Sequence, residues 1–318
     1  MDKIGVGVIG VGAMGYNHAR IYSKLDETDF IGVSDLNDLA LSRVSKKYDI
    51  TGYKNYEDLL NNDELQIVSV CVPTTHHYNV TMKAIEYGKD VLVEKPISFT
   101  LEEAKEMINF AKEKGVKLSI GHVERFNPAV KKAKELIEND VIGDVVSSFA
   151  KRVGPFPPQV KDVGVATDLA IHDLDVMAYL FNKQAKQIYA TMGSILENCI
   201  YEDHAEIMTI FETGISGILE VNWLTPYKRR ELEITGTEGI ISINYINQSI
   251  DVHGKFANDV SIKQEEPLKE EIRSFLNAVK TNTGPIVTGK DGINALKMVL
   301  AANRSSKEKV PISISDIK

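Results

Sequence analysis

The stretch that decides the fold is IGVGVIGVGAMG, residues 4–15. It contains two overlapping GxGxxG patterns, one over residues 5–10 and one over residues 10–15. Such a pattern holds the pyrophosphate of a dinucleotide when a strand precedes it, a helix follows it, and an acidic residue lies about 20 positions beyond it. Only one of the two patterns can therefore form the phosphate-binding turn.

The second pattern meets all three conditions. Residues 4–9 read as a strand, residues 16–25 read as a helix, and Asp35 lies 20 residues after Gly15 at the end of the next apolar run. In this register the glycines permit a tight turn and a close approach of the backbone to phosphates at a helix N-terminus. The cofactor-binding residues predicted from the turn are Gly10, Gly12, Ala13, Met14 and Gly15.

Asp35 indicates which dinucleotide the turn holds. Its carboxylate should accept hydrogen bonds from both hydroxyls of the adenosine ribose, and its charge would repel a 2′-phosphate. We therefore predict NAD as the cofactor, in preference to NADP. The alternative is a turn-forming or helix-capping aspartate, since Asn37 and Asp38 follow in a loop-like stretch.

The composition argues against several classes of partner. Acidic residues outnumber basic ones 45 to 37, for a net charge of −8, and the absence of a basic tract makes nucleic acid a poor partner. No apolar run approaches the ~20 residues of a membrane helix. Cys71 and Cys199 lack metal-ligand spacing, and two isolated cysteines are typical of a reducing compartment. We expect a cytosolic protein that binds neither a membrane nor a metal.

Two patterns of secondary structure divide the 318 residues. Short β-branched runs alternate with helical patterns from residue 3 to residue 121, which predicts an N-terminal Rossmann domain with a doubly wound parallel sheet. Strands then follow one another from residue 144 to about residue 253, which predicts an open, mainly antiparallel sheet in a C-terminal α+β domain. We expect an α/β protein with an NAD-binding domain over residues 1–122. A substrate-binding and oligomerisation domain should cover residues 123–318, with a C-terminal helix able to pack back on the first domain.

Local signals place several helices. A capping-box pattern begins a helix at Thr100, and Gly115 ends it. Further helices are predicted over residues 128–138, from Pro267 onward, and over residues 294–304.

Two strand ends carry candidate chemistry. Ligands of open α/β sheets bind beyond the carboxyl ends of the strands. Val72-Pro73-Thr74 and Glu94-Lys95-Pro96 both lie at such ends. Lys95 leaves an apolar strand at the cofactor edge, which suits a role in proton transfer. The alternative is an ordinary solvated lysine at a strand terminus.

The chain resembles the Gfo/Idh/MocA oxidoreductase family over its whole length. The resemblance is carried by Glu94-Lys95-Pro96, by Pro-Thr-Thr-His-His at residues 73–77 and by Gly-Lys-Asp-Val at residues 88–91. It implies that Lys95 lies near the reacting carbon and the cofactor, and that Glu94 lies near the nicotinamide ribose.

The same resemblance implies cofactor contacts for Pro73, Thr74 and His77. In this chain Thr74 replaces the asparagine that the family usually has. The peptide bond before Pro96 is expected to be cis, as it often is in such proteins.

A polar stripe is predicted on a helix of the second domain. Asp168, His172, Asp175 and Tyr179 fall at i, i+4, i+7 and i+11. On spacing alone, the alternative is a helix-favouring Asp168 beside a histidine that merely packs. The family motif D-x-x-x-H matches Asp168 and His172, so the resemblance implies a catalytic role. The spacing leaves open whether Lys95 or His172 takes the proton. We assign the general base to His172, a hydrogen bond to the reacting oxygen to Lys95, and positioning of the sugar to Asp168.

Finer resemblance concerns the substrate. Residues 121–128, 152–157, 162–165 and 222–226 are similar to family members that oxidise the C3 hydroxyl of UDP-N-acetylglucosamine. This implies a nucleotide-sugar substrate. The predicted substrate-binding residues are Lys95, Arg125, Asn127, Arg152, Asp168, His172 and Arg230, with Lys161 as a further cation able to meet a diphosphate. The alternative for the strand-entrance arginine is a solvated charge run.

Other functions stay open at this point. A dehydrogenase of an inositol, another sugar or a UDP-sugar uronate would use the same groups, whereas a non-catalytic NAD-binding sensor would need only the glycine turn. A third possibility is a structural oligomer subunit. An exposed face on the second sheet would favour a homo-tetramer in each case.

Overall fold

The computed structural model describes residues 3–157, 162–197, 199–254 and 260–318. The chain divides into two compact units. The first comprises Met1–Gly121 and Leu268–Ile293, and the second comprises His122–Pro267 and Asn294–Lys318. The chain therefore leaves the first unit, forms most of the second, and returns to the first for one segment.

A parallel sheet forms the centre of the first unit. Its six strands are β1 (Ile4–Ile9), β2 (Thr28–Ser34), β3 (Thr51–Tyr53), β4 (Ile67–Val70), β5 (Asp90–Glu94) and β6 (Leu118–Gly121). Their order in the sheet is β3-β2-β1-β4-β5-β6, and every neighbouring pair is parallel. The order reverses between β1 and β4, which confirms the doubly wound Rossmann arrangement that the alternating pattern predicts.

Five helices of the described residues follow these strands. They are α1 (Ala13–Tyr22), α2 (Asp38–Tyr48), α3 (Tyr56–Leu60), α4 (His77–Glu86) and α5 (Leu101–Lys114). The predicted start of α1 at residue 16 is wrong, because the Tyr16 N–H already donates to the Gly12 carbonyl at 3.0 Å. The prediction for α5 is confirmed: Thr100 and Glu103 form the capping box, and Gly115 ends the helix at a φ of +69°.

A second sheet forms the centre of the second unit. Its strands are β7 (Val145–Pro155), β8 (Ala185–Gly193), β9 (His204–Phe211), β10 (Ser216–Asn222), β11 (Leu224–Gly236), β12 (Gly239–Asn244), β13 (Ser249–Gly254) and β14 (Ile312–Ser313). They lie in the order β13-β12-β11-β7-β10-β9-β8-β14. All neighbours are antiparallel except β7 and β10. The predicted mainly antiparallel sheet is confirmed.

The described residues form four further α-helices. They are α6 (Pro128–Glu138), α7 (Ile171–Phe181), α8 (Pro267–Lys280) and α9 (Gly289–Glu308). In the second unit, α6 packs on β12 and β13, and α7 packs on β7. Helix α8 belongs to the first unit, whereas α9 begins in the first unit and ends in the second. Within the described parts of the chain, no helix is both long and apolar enough for a membrane span.

Candidate active site

The glycine turn after β1 has the backbone geometry of a phosphate cradle. Gly10 has a φ of +84°, and a Cβ there would lie 2.7 Å from the Cys71 carbonyl oxygen. A Cβ on Gly15 would lie 1.7 Å from the Gly10 carbonyl oxygen, so only glycine lets α1 pack this close. A Cβ on Gly12 would meet nothing within 4 Å. The turn therefore presents open space next to the exposed N-terminus of α1, and a pyrophosphate fits there.

Asp35 ties the end of β2 to this turn. Its Oδ2 accepts from the Val11 N–H at 2.7 Å, and its Oδ1 accepts from the Asn37 N–H at 2.7 Å. Asn37, and not Asp35, caps α2. Asp35 thus forms the turn that the sequence offered as its alternative role. Its contact with a ribose stays a prediction.

Glu94 ends β5 as a buried carboxylate, with 7% of its surface exposed. Its Oε1 lies 2.9 Å from Nε2 of His18 on α1. Burial alone would raise the pKa of Glu94. The hydrogen bond from His18 and the charges of His18, Lys95 and His77 outweigh burial, and the pKa lies below its ordinary value. Glu94 is therefore held as a carboxylate.

The other side of the His18 ring is also held. Nδ1 of His18 lies 3.0 Å from the Ser69 hydroxyl, which lies 2.8 Å from the Tyr22 hydroxyl. His18, Ser69 and Tyr22 are all almost fully buried. Our reading of the sequence missed this chain of hydrogen bonds. The available signal is a histidine on the sheet-facing side of α1, in the same row as Gly15, Ala19 and Tyr22.

Cys71 lies beside the same pair. One donor atom each from His18, Cys71 and Glu94 lie within 4.8 Å of one another. Burial, followed by the charges of Glu94 and Glu271, raises the pKa of the Cys71 thiol well above its ordinary value. A protonated thiol is a poor metal ligand. The expected absence of a metal stays a prediction.

Lys95 and Pro96 follow Glu94 directly. The Lys95–Pro96 peptide bond is cis, as predicted, and Lys95 is half-buried. His77 fixes the next carbonyl group, since its Nδ1 lies 2.7 Å from the Pro96 oxygen and its Nε2 lies 2.9 Å from the Val72 oxygen. His77 thereby joins the ends of β4 and β5. His77 is 1% exposed and stabilises the edge of the sheet where the cofactor is predicted to bind. Its contact with the cofactor stays a prediction.

The loop after β4 carries the other predicted cofactor residues of this edge. Pro73 is exposed and precedes a short 3₁₀ turn that begins at Thr74, whose side chain is buried. Contacts of Pro73 and Thr74 with a cofactor stay predictions.

The second unit places Asp168 and His172 on two different kinds of helix. Residues 166–170 form one π-helical turn, and α7 begins at Ile171. The predicted single α-helical stripe is therefore wrong at its N-terminal end. Glu202 holds this turn, because its side chain accepts from the Ala166 N–H at 3.2 Å. Asp168 and His172 are both half-buried.

The other stripe members, Asp175 and Tyr179, both contact Arg125. Asp175 accepts two hydrogen bonds from Arg125, at 2.7 Å from Nε and 2.6 Å from Nη2. The Arg125 guanidinium also lies 5.0 Å from the ring centre of Tyr179. Asn127 caps α6 through the Ala129 N–H and donates to the Tyr245 carbonyl. For Arg125 and Asn127, contact with a substrate stays a prediction, since both already have structural partners.

Arg152 is likewise enclosed by carboxylates. It is 1% exposed, donates from Nε and Nη2 to Asp173, and donates from Nη1 to Glu124 at 2.9 Å. Burial would lower the pKa of Arg152, but the charges of Asp173 and Glu124 raise it above its ordinary value. Contact of Arg152 with a substrate stays a prediction, and the structure gives this arginine a role inside the unit.

Arg230 differs from these arginines in its charge balance. It lies opposite Arg152 in the register of β11 and β7, its side chain is 34% exposed, and its Nη1 lies 3.9 Å from Oε1 of Glu124. Burial, followed by the charge of Arg152, lowers the pKa of Arg230. A ligand anion at this guanidinium would offset both effects, because an opposite charge favours the charged form of the arginine. Lys161, the further cation predicted from the sequence, lies outside the described residues.

Comparison with known proteins agrees with this geometry. Residues 4–122 match a family model described as the oxidoreductase family with an NAD-binding Rossmann fold. Residues 130–242 match the GFO/IDH/MocA C-terminal domain. Both matches lie where the structure has its two sheets.

The chain is also similar to several relatives over nearly its whole length. It is 27% identical to UDP-N-acetylglucosamine 3-dehydrogenase of Acidithiobacillus ferrooxidans, covering 95% of this chain and 96% of the relative. A solved structure of that enzyme superposes with a TM-score of 0.88 at 26% identity, covering 97% of this chain and 99% of that one. The chain is 26% identical to myo-inositol 2-dehydrogenase of Thermotoga maritima, covering 98% and 99%. It is 28% identical to scyllo-inositol 2-dehydrogenase (NAD(+)) of Bacillus subtilis, covering 98% and 96%.

The turn geometry generates a prediction that separates folding from cofactor binding. Gly15→Ala forces a methyl group against the Gly10 carbonyl and should lower the free energy of unfolding by roughly 2–5 kcal/mol. Gly12→Ala has room for the methyl group and should change the free energy of unfolding by less than about 1 kcal/mol. The same methyl group should weaken NAD binding about tenfold or more, because it occupies the space for the pyrophosphate. Denaturant titration and calorimetric NAD titration measure the two effects. A Gly12→Ala variant that binds NAD normally would contradict the assigned cradle.

Proposed function

The chain belongs to the Gfo/Idh/MocA oxidoreductase family, and from that premise we propose that it uses NAD to oxidise the C3 hydroxyl of UDP-N-acetylglucosamine to a ketone. The observation that carries the choice of substrate is Arg230, a half-buried cation with no carboxylate closer than 3.9 Å among its described ion pairs. A diphosphate supplies the anion that such a site favours. Similarity to a UDP-N-acetylglucosamine 3-dehydrogenase over both units supports the same substrate.

The reaction removes a hydride and a proton from one carbon and its hydroxyl. NAD, when bound, accepts the hydride. His172 takes the hydroxyl proton as the general base, Lys95 donates a hydrogen bond to the reacting oxygen, and Asp168 holds the sugar. Gly12 and the first amides of α1 hold the pyrophosphate, and Asp35 accepts from the adenosine ribose.

An inositol is the second candidate substrate. Two inositol dehydrogenases are about as similar to the chain as the nucleotide-sugar enzyme. A polyol has the same reacting group but no diphosphate, so Arg230 would have no ligand partner. A non-catalytic NAD sensor would leave Lys95, Asp168 and His172 without a chemical task.

We also propose a homo-tetramer in a reducing, cytosolic compartment. Both cysteines are free thiols, which supports the compartment. The face of the second sheet opposite α7 carries one row of exposed apolar side chains in register across four strands: Phe149, Ile218, Met208 and Tyr189. The same face of a second copy can cover such a row across a two-fold axis, and this contact would supply one of the interfaces of a tetramer.

A substrate panel tests the proposed function. With NAD present and reduced nicotinamide as the readout, UDP-N-acetylglucosamine should be oxidised, while myo-inositol and scyllo-inositol should give at least about 100-fold lower kcat/KM, since they lack the anion for Arg230. Arg230→Met should raise KM for the nucleotide sugar more than it lowers kcat. Turnover of polyols alone would discard the nucleotide sugar, and tight NAD binding with no turnover would favour the sensor.

The role of His172 gives a separate prediction. His172→Ala should lower kcat about 100-fold or more, because a general base contributes that much to proton transfer. His253→Ala is the matched control, as His253 is an exposed histidine on β13 of the same unit. Steady-state rates and thermal unfolding of both variants are the measurements. Near-normal turnover of a folded His172→Ala variant would refute the assignment.

The apolar row predicts which substitution should break the proposed oligomer. Ile218→Glu places a charge at the centre of the row and should shift the protein toward a smaller species in size-exclusion chromatography with light scattering. Ile246→Glu is the control, since Ile246 is exposed in the turn between β12 and β13. Unchanged mass for Ile218→Glu at low concentration would exclude this face as the interface.

A further inference from the structure

Glu94 raises a problem that the proposed function leaves unexplained. The family resemblance places this carboxylate near the nicotinamide ribose, yet its side chain is 8% exposed. An ionised carboxylate removed from water needs a donor of fixed geometry, or it takes up a proton. The donor in this structure is His18, whose side chain is 0% exposed.

We propose that His18 is a positioning residue of the active site, which fixes the Glu94 carboxylate and, through it, the strand end that carries Lys95. This inference rests on the proposed function, because it deepens the description of the same site. His18 itself is not expected to touch cofactor or substrate.

The hydrogen bonds determine the orientation of the His18 ring. A carboxylate only accepts, so Nε2 of His18 carries a hydrogen and donates to Glu94 across 2.9 Å. Nδ1 meets the Ser69 hydroxyl on β4, and that hydroxyl is held in turn by Tyr22. With both nitrogens engaged by different elements, the ring has one orientation that keeps every bond.

The position of His18 links two parts of the site. His18 lies three residues after Gly15 and is the sixth of the ten residues of the helix that the glycine turn begins. Its partner Glu94 directly precedes Lys95, and the carbonyl that follows Lys95, that of Pro96, is held by His77 at 2.7 Å. Lys95 therefore lies between two residues that are each held by a buried histidine: Glu94 by His18, and Pro96 by His77. The helix that receives the pyrophosphate thus also sets the position of the reacting end of the sheet.

Charged and titratable groups face Glu94 from several elements. They are His18 on α1, Cys71 after β4, His77 at the start of α4, and Lys95 beside it, with Glu271 of α8 acting on Cys71. Because the pKa of Glu94 is lowered, its carboxylate stabilises the fold above the ordinary glutamate pKa, and this contribution is lost as the pH falls through the lowered pKa. Removing His18 leaves burial as the main influence and should raise the pKa of Glu94.

The first experiment compares His18→Leu with His18→Gln. Leucine fills the space without a donor, whereas the glutamine amide carries a donor and an acceptor side by side. His18→Leu should lower kcat about 100-fold, since a small misplacement of reacting groups has that effect, while KM for NAD changes less than about threefold. His18→Gln should recover kcat to within about fivefold of the unchanged protein. Equal kcat in all three proteins, or equal loss in both variants, would overturn the proposal.

A second measurement needs no substrate. The Tm of His18→Leu should be lower than that of the unchanged protein by about 5–10 °C at pH 8, and the difference should shrink toward pH 5 as Glu94 takes up a proton. In His18→Leu/Glu94→Gln this pH dependence should vanish. His253→Leu serves as the exposed-histidine control and should show no such effect.

These readouts separate the inference from the proposed function. If the panel finds no substrate, the pH-dependent Tm still reports whether His18 holds Glu94. If His18→Leu does not fold, the double variant should fold, because it no longer has a buried carboxylate at residue 94 without its histidine donor. A double variant that fails as the single one does, or a Tm difference that does not depend on pH, would overturn the pairing.

Discussion

The first unit depends on how a buried carboxylate at the end of β5 obtains its hydrogen bond. Removal of that charge from water has to be offset by a donor of fixed geometry, and the donor comes from α1. A side chain on α1 reaches β5 only if the helix packs tightly on the sheet, which the missing Cβ at Gly15 permits. Gly121 on the neighbouring strand β6 also leaves room for the Glu94 carboxylate, since a Cβ there would lie 3.1 Å from it. A glycine of the dinucleotide fingerprint, Gly15, thus also allows His18 to reach Glu94.

Most of the first sheet was predictable because its signals are local. Strand periodicity, the choice between two glycine registers and the capping box at Thr100 each involve residues within about one turn or strand of one another. The start of α1 was placed too late because glycines in a fingerprint read as turn, although helical bonding begins at Gly12. β3 has only three residues, which is too short for a periodic pattern to appear in the sequence. His18 was missed for a different reason: its partner Glu94 lies 76 positions away, and no local pattern encodes that pairing.

In the second unit, the ion-pair partners of the buried arginines could not be predicted from the sequence either. A sequence reveals how many arginines are present but not which carboxylates face them. Arg152 and Asp173 meet because β7 and the start of α7 bring together residues 21 positions apart, and Arg125 reaches Asp175 across 50 positions. Substrate contact stays a prediction for both arginines, and the sequence does not show the carboxylates that each of them meets in the structure. The π-helical turn at residues 166–170 is equally hidden, and the Glu202 side chain that accepts from its Ala166 N–H comes from 36 positions away.

The charge balance of the two buried clusters bears directly on the substrate. In the first unit, the Glu94 carboxylate accepts a hydrogen bond from His18. In the second, Arg152 and Arg230 lie opposite each other in register, and Arg152 takes the close contacts with Glu124 and Asp173. Arg230 is left desolvated beside a like charge, which disfavours its charged form. An inositol cannot offset that repulsion, whereas a diphosphate can. Similarity at 26% and 27% identity leaves the two substrate classes level, and the proposed nucleotide sugar rests on the charge of Arg230.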